Sequence, residues 1–425
     1  MPGTAEATSA FNIEGIRELS KQRGEPAFLL ERRLKAFEAW NTLPMPGRTD
    51  EIWRRVKLDG LNIEAATARF DGTPYAKLHA NTQGAKSGVF WGLTEQAAKD
   101  RAELLKAKFA TEVYPAGELG NLKTRKGGKF HALNQAIFDG GYTLHVPQGV
   151  KLADPYVAQF TTRPLSAGIF PHNLVVVEDG AEAVLIEKYV SEDPRWNGLS
   201  CPQTEIILGK NSKLHYILLQ EVGQQGLHIG AHRVTLAQNA RAIFASAHLG
   251  GKTSKTFMEV EMNEPQAHAV IYGLYYGLEQ QKFHLDTWQH HVAPNCTSDL
   301  MFKGALDHGA SAVYRGMIRL EPDAQKTDAY QQNRTLLLSD DASINSIPGL
   351  EILANDVRCT HGSTAGQIDP NMLFYLLSRG LTKFEASKMI MDGFFEEVIV
   401  KFGLDAVIEP LRKEIDAKID ANVRK

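Results

Sequence analysis

The feature that most constrains this chain is a β-rich motif that keeps returning with a turn at its centre. Residues 175–186 form an aliphatic run, an Asp179-Gly180 corner and a second aliphatic run; residues 206–217 repeat it around Lys210-Asn211, and residues 234–244 around Gln238-Asn239. Weaker copies follow at 260–271, 306–314 and 336–344. The corner centres Gly180, Asn211, Asn239 and Pro265 lie 31, 28 and 26 residues apart. A period near this length predicts stacked units, none of which buries its apolar face alone. The runs are short and rich in Val, Ile, Thr and Tyr, with Asn, Gly or Asp at the corners, which argues against helical repeats. A parallel β-helix or a sandwich fits this pattern. Near-continuous aliphatic runs and the lack of tight Asn-Gly hairpins favour parallel stacking, where both faces of a strand can be covered.

Helical patterns flank the repeats. Residues 12–22 precede Gly24, and Pro26 opens a second pattern with Leu30, Leu34, Phe37 and Trp40 on one face. Residues 94–109 are rich in strong helix formers, and residues 75–93 leave room for one or two short strands. After the repeats, Asp369 and Pro370 have the chemistry of an N-cap and first helical position, and Gly380 that of a stop. Thr382 and Glu385 make a capping box ahead of an apolar stripe through Met391, Phe394, Phe395, Val398, Ile399 and Phe402. Gly403 closes it. The last helix carries Ile408, Leu411, Ile415 and Ile419, with Pro410 expected to mark a break or restart. These stripes suit either the chain's own core or a docking face for a partner. The chain thus divides into a mostly helical region over 1–140, a β core over 141–368 and a helical region over 369–425.

Composition narrows the function classes. With 47 Lys and Arg against 50 Asp and Glu the formal charge is −3, without the basic excess of a nucleic-acid binder. Cys201, Cys296 and Cys359 are far apart, odd in number and free of CxxC spacing, so neither a disulfide framework nor a zinc ribbon is expected, which suits a reducing, cytoplasmic setting. No signal-peptide pattern opens the sequence, and apolar stretches such as 269–278 are about half of what a bilayer needs. No membrane span is predicted.

Few motifs carry chemistry. Gly251-Lys252-Thr253 lacks the glycine that a phosphate loop needs six residues before its lysine, where Ser246 stands; a glycine turn between strands accounts for it better. His284, Asp286, His290, His291 and Cys296 crowd ligand-type side chains together, yet His290 and His291 would face opposite sides of a strand. A structural or interface role is weighed there against a ligand role. Cys359 and His361 share a face of an extended strand, about 6–7 Å apart along the chain, suited to an iron ion or a cluster edge with further ligands from elsewhere. A buried structural Cys beside a satisfied His is the other reading. No nucleophile elbow is legible, and Asp340-Asp341 sits at a turn.

A family resemblance rests on long segments. Lys326-Thr-Asp-Ala-Tyr-Gln-Gln-Asn-Arg-Thr-Leu-Leu-Leu-Ser339, residues 348–364 and residues 373–380 resemble the SufB/SufD family of the SUF iron-sulfur cluster assembly scaffold, and its SufD branch in particular. Residues 130–137 with 146–150, and residues 24–36 with Met45-Pro46, extend the likeness over nearly the whole chain. In SufB a cysteine stands at the position of Asn333 and a glutamate at that of Gly362, so both positions favour SufD. Residues 52–56 depart from the usual pattern. The resemblance implies a mainly β fold, with a right-handed parallel β-helix core flanked by N-terminal and C-terminal α-helical regions. It also implies a non-catalytic scaffold subunit that pairs with SufB and docks the SufC ATPase on its C-terminal helices, where Phe394, Phe395, Val398 and Phe402 are the candidate contacts. His361, with Cys359 beside it, would serve iron delivery or a transient iron-sulfur cluster at the SufB interface. A reduced flavin in the complex and a homodimer of the isolated chain stay open. The alternative is a β-helix metalloenzyme or carbohydrate-active enzyme.

Overall fold

The computed structural model describes residues 11–56, 58, 61–67, 75–79, 88–109, 128–162 and 167–423. From Tyr142 to Gly366 the chain winds as a parallel β-solenoid of eight coils, each giving one strand to a nine-stranded sheet and one to a ten-stranded sheet. Strand Thr253–Met262 pairs in parallel with Leu227–Leu236 on one side and Lys282–His291 on the other, and the facing sheet repeats the pattern. Among the described strands only the first of each sheet is antiparallel: Ala76–His79 lies against Tyr156–Thr161, and Phe90–Leu93 against Tyr142–Val146.

The corners explain the repeat. Gly149, Gly180, Asn211, Asn239, Gln266, Asn295 and Lys326 form a column of residues with φ between +53° and +71°. Each donates its backbone N–H to a carbonyl in the next coil, as Asn211 does to Gln238 and Asn239 to Pro265. The side chains of Asn211 and Asn239 also bond each other at 2.7 Å. Asn and Gly tolerate the left-handed conformation, which is why these corners stand out. The fourth corner is Gln266 rather than Pro265, since proline cannot adopt a positive φ.

Between the sheets, alternate residues of every strand fill a continuous core that includes Tyr142, Phe160, Tyr216, Phe244, Ile271, Phe302 and Tyr314. The outer faces are covered by helices. Ile13–Gln22, Ala27–Thr42 and Lys129–Ile137 pack at the N-terminal end with Trp53, Phe170 and Ile229. There Arg33 is fully buried, bonded to Glu25 and to the carbonyls of Ala136 and Phe138. The 94–109 stretch forms two helices, Thr94–Asp100 and Ala102–Lys108, because Arg101 leaves the helical conformation at φ −138°.

At the other end Asp369 and Thr382 cap Pro370–Ser378 and Lys383–Ile399, the second through a complete capping box. Asp405–Val423 runs through Pro410 as one helix, correcting the expected break. Ile408, Leu411, Ile415 and Ile419, buried with the nine-stranded sheet, hold it on both sides of the proline. That burial also corrects the docking reading of the preceding stripe. Phe395, Val398 and Phe402 are fully buried with Ile217, Ala247, Leu274 and Tyr276, so they are core rather than partner surface, and Phe394 is partly buried beside them.

Two measurements check this account. Phe395→Ala should cost about 3–5 kcal/mol in chemical unfolding, as a cavity in a packed interior does. Asn239→Ala should lower stability by roughly 1–2 kcal/mol through the left-handed backbone, with Asn239→Gly recovering most of it.

Candidate metal and partner site

The final strand, Arg358–Gly366, pairs only with Asp328–Leu337 and has no described strand on its other side. Register places Cys359 beside Ala329, His361 beside Gln331 and Ser363 beside Asn333. Those three neighbours face the core and are each about 1% exposed. Cys359, His361 and Ser363 therefore occupy the same inward row one coil further on, where no further strand stacks over them among the described residues. His361 is exposed for that reason. Cys359 is half-buried, packed against the small cluster of Ile318, Leu320, Ala324 and Ala329. Burial, with the Asp328 carboxylate adding to it, pushes its thiol up to about 11.

The facing strand Ser343–Ile352 is also last in its sheet. Its inward row, set by pairing with Ser311–Leu320, holds Ile344, Ser346, Pro348, Leu350 and Ile352. Leu350 and Ile352 are exposed although their neighbours Ile318 and Leu320 are fully buried. Ser363 donates to Ser346 at 2.7 Å, and Asn333 reaches the same hydroxyl at 3.4 Å. The side-chain carbonyls of Gln331 and Asn333 are buried beneath without a donor. The solenoid thus ends in an open mouth with an apolar side, a polar side, one imidazole and one thiol. Cys359 and His361 are two metal-competent donors, fewer than an iron ion or an iron-sulfur cluster needs. Among the described residues no group of three such side chains surrounds a common position.

The other candidate segment disperses. Asp286 pairs with Lys255 at 2.6 Å and lies 3.5 Å from Arg315, while His290 meets Glu321 at 3.0 Å. His291 turns inward to Ser298 at 2.8 Å, Cys296 donates to the Glu264 carbonyl, and His284 is buried on the outer face. Strand alternation sends these groups to opposite faces, and the structure joins none of them to His361. Gly251 is a left-handed turn directly before strand Thr253–Met262, with no helix for a phosphate.

Two features escaped the sequence reading. Helix Pro370–Ser378 buries none of its residues and exposes Met372, Phe374, Tyr375 and Leu377, with Met389 exposed on the next helix. An unbroken apolar run at 373–377 was the available signal. The inward polar row of Gln331, Asn333, Ser346 and Ser363 needed the register between strands to be found.

Residues 160–394 match the family described as the SUF system FeS cluster assembly, SufBD core domain. Relatives include the iron-sulfur cluster assembly SufBD family proteins of Staphylococcus haemolyticus, 24% identical, and of Staphylococcus epidermidis and Staphylococcus aureus, each 23% identical. Each alignment spans 93% of this chain and 90% of the relative. The matched region takes in most of the coils, the open mouth with His361 and the exposed helix, and with it the chain belongs to the SufBD family of iron-sulfur cluster assembly proteins.

Proposed function

We propose that this SufBD-family chain serves iron-sulfur cluster assembly as a non-catalytic, cytoplasmic scaffold subunit of the SufD kind, joined to SufB through its open mouth. The observation that carries this reading is the pair of uncovered ten- and nine-residue strands, Ser343–Ile352 and Arg358–Gly366, that end the two sheets. Unpaired edges of this length are normally blunted or covered, because their free N–H and C=O groups recruit another strand. Here the apolar row of Leu350 and Ile352 lies beside them, so a partner that stacks on the mouth gains both backbone pairing and buried apolar area. The same docking covers His361 and Cys359 and brings ligands from SufB to complete an iron or cluster site that this chain half supplies. A second copy on the same mouth would give a homodimer of the isolated chain.

The SufC ATPase is assigned to the exposed apolar face of helix Pro370–Ser378 rather than to the stripe buried on the sheet. That helix is a short step from Gly366, so movement imposed on it by SufC reaches the last strand directly.

His361→Ala should leave folding and assembly with SufB and SufC intact while lowering iron and sulfide in the purified complex; loading at the wild-type rate would remove His361 from the site. Phe374→Ala with Tyr375→Ala should weaken SufC binding by about tenfold or more if the exposed helix is the dock, following the cost of losing aromatic anchors. Because its thiol is held near 11, Cys359 in the isolated chain should alkylate slowly at pH 7 and faster as pH rises. Asp328→Asn, which removes a raising charge, should speed alkylation at fixed pH.

A further inference from the structure

Three histidines lie fully or almost fully buried inside the solenoid, far from the mouth: His228 and His232 on strand Leu227–Leu236, and His248 on Arg241–His248 of the facing sheet. Each has a hydroxyl against Nδ1: Ser200 at 3.1 Å from His228, Tyr216 at 2.9 Å from His232 and Thr256 at 3.5 Å from His248. Each leaves Nε2 buried without a partner. Gly230 lies between the first two. A Cβ placed there would meet His228 Nε2 at 2.7 Å and His232 Nε2 at 3.1 Å, so both nitrogens converge on the space that the glycine leaves open. Thr256, the partner of His248, is the register neighbour of Gly230, and Met258 that of His232. The Met258 sulfur accepts from Ser246 across the lumen at 3.5 Å, two residues before His248.

Burial drives His232 and His248 down to about 3 and His228 well below its ordinary range, with neighbouring imidazoles adding to the effect on His228 and His232. All three are neutral at physiological pH. A buried ring nitrogen without a partner is costly, and three lie here. The arrangement matches metal-binding histidines, whose second ring nitrogen is held by an outer hydrogen bond while the first faces the ion.

Charge selects the ion. Glu187 is fully buried, with Oε1 3.7 Å from His232 Nδ1, and accepts from Tyr142, Tyr189 and Thr204. Burial, the largest influence, raises its carboxyl, and those hydroxyl donors oppose the rise. In its ionised form this carboxylate balances one positive charge. Neutral imidazoles and a thioether suit a soft monovalent ion.

We propose that the lumen above Gly230 holds one Cu⁺ ion between Nε2 of His228 and His232, with His248 and the Met258 sulfur completing its surroundings. Two imidazoles suffice for an ion that accepts low coordination, and His248 and Met258 approach by side-chain rotation; among the described residues no three ligands are already closed about one point. In the tautomer that donates Nδ1–H to the neighbouring hydroxyl, each Nε2 offers its lone pair and binding displaces no proton. The enclosed position means that the ion is captured as the coils close during folding. This site is independent of the mouth and of His361.

The full chain, expressed in copper-supplemented medium and purified anaerobically, is treated with the Cu⁺ chelator bathocuproine disulfonate and assayed for metal by mass spectrometry. About one chelator-resistant copper per chain is expected, with X-ray absorption showing nitrogen ligation. Gly230→Ala, which fills the space, and His228→Gln with His232→Gln should lower retained copper by about tenfold or more, while the outer-face variant His284→Gln keeps it. Circular dichroism and thermal midpoints establish that the variants compared are folded. No retained copper in the wild type, equal copper in folded Gly230→Ala, or zinc in its place would overturn the assignment.

Discussion

Backbone hydrogen bonds between successive coils are the constraint on which this molecule depends. Each rung satisfies its N–H and C=O groups on the rung before and after, and the corner column fixes the phase at which every coil starts. Because residues such as Asn211, Asn239 and Asn295 hold that phase, columns of inward side chains run in register for the length of the solenoid. One such column runs Leu185, Tyr216, Phe244, Ile271, Leu300, Gln331 and finally His361. His361 is thus the end of a core column, positioned by the rungs beneath it rather than by a loop.

The helices answer a different need. A two-sheet solenoid has outer faces that are partly apolar, and at Ile217, Ala247, Leu274 and Tyr276 that surface is taken up by Phe395, Val398, Phe402 and the last helix. Lys303 reinforces the contact, bonding the Phe394 carbonyl at 2.8 Å and pairing with Glu397. Helix Pro370–Ser378 is excluded from this packing. It lies between the mouth and the docked helices and keeps its aromatic residues in solvent.

Much of the architecture was legible in the sequence because the corners use residues whose backbone preferences are strong. Gly180, Asn211 and Asn239 announce themselves, whereas Gln266 and Lys326 adopt the same conformation with no such preference and are found only from the hydrogen bonds of their neighbours. The caps at Asp369 and Thr382 were readable for the same local reason. What periodicity cannot report is the identity of the opposite surface. The Phe395 stripe is apolar whether it meets a sheet of its own chain or a partner, and Cys359 and His361 share a face whether or not another coil follows. His228 and His232 share the inward face of one strand around Gly230, but His248 belongs to the facing sheet, and only the pairing of strands relates it to them, through Thr256 beside Gly230.

The two ends of the solenoid are not alike. Short antiparallel strands, Ala76–His79 and Phe90–Leu93, lie across the first coil, while the last coil presents parallel edges to whatever comes next. A subunit with two matching ends would add head to tail without limit, as open heterologous contacts do. On the proposal that a partner stacks on the mouth, the first coil offers no matching parallel edge among the described residues, so such stacking would stop at a pair instead of growing into a filament.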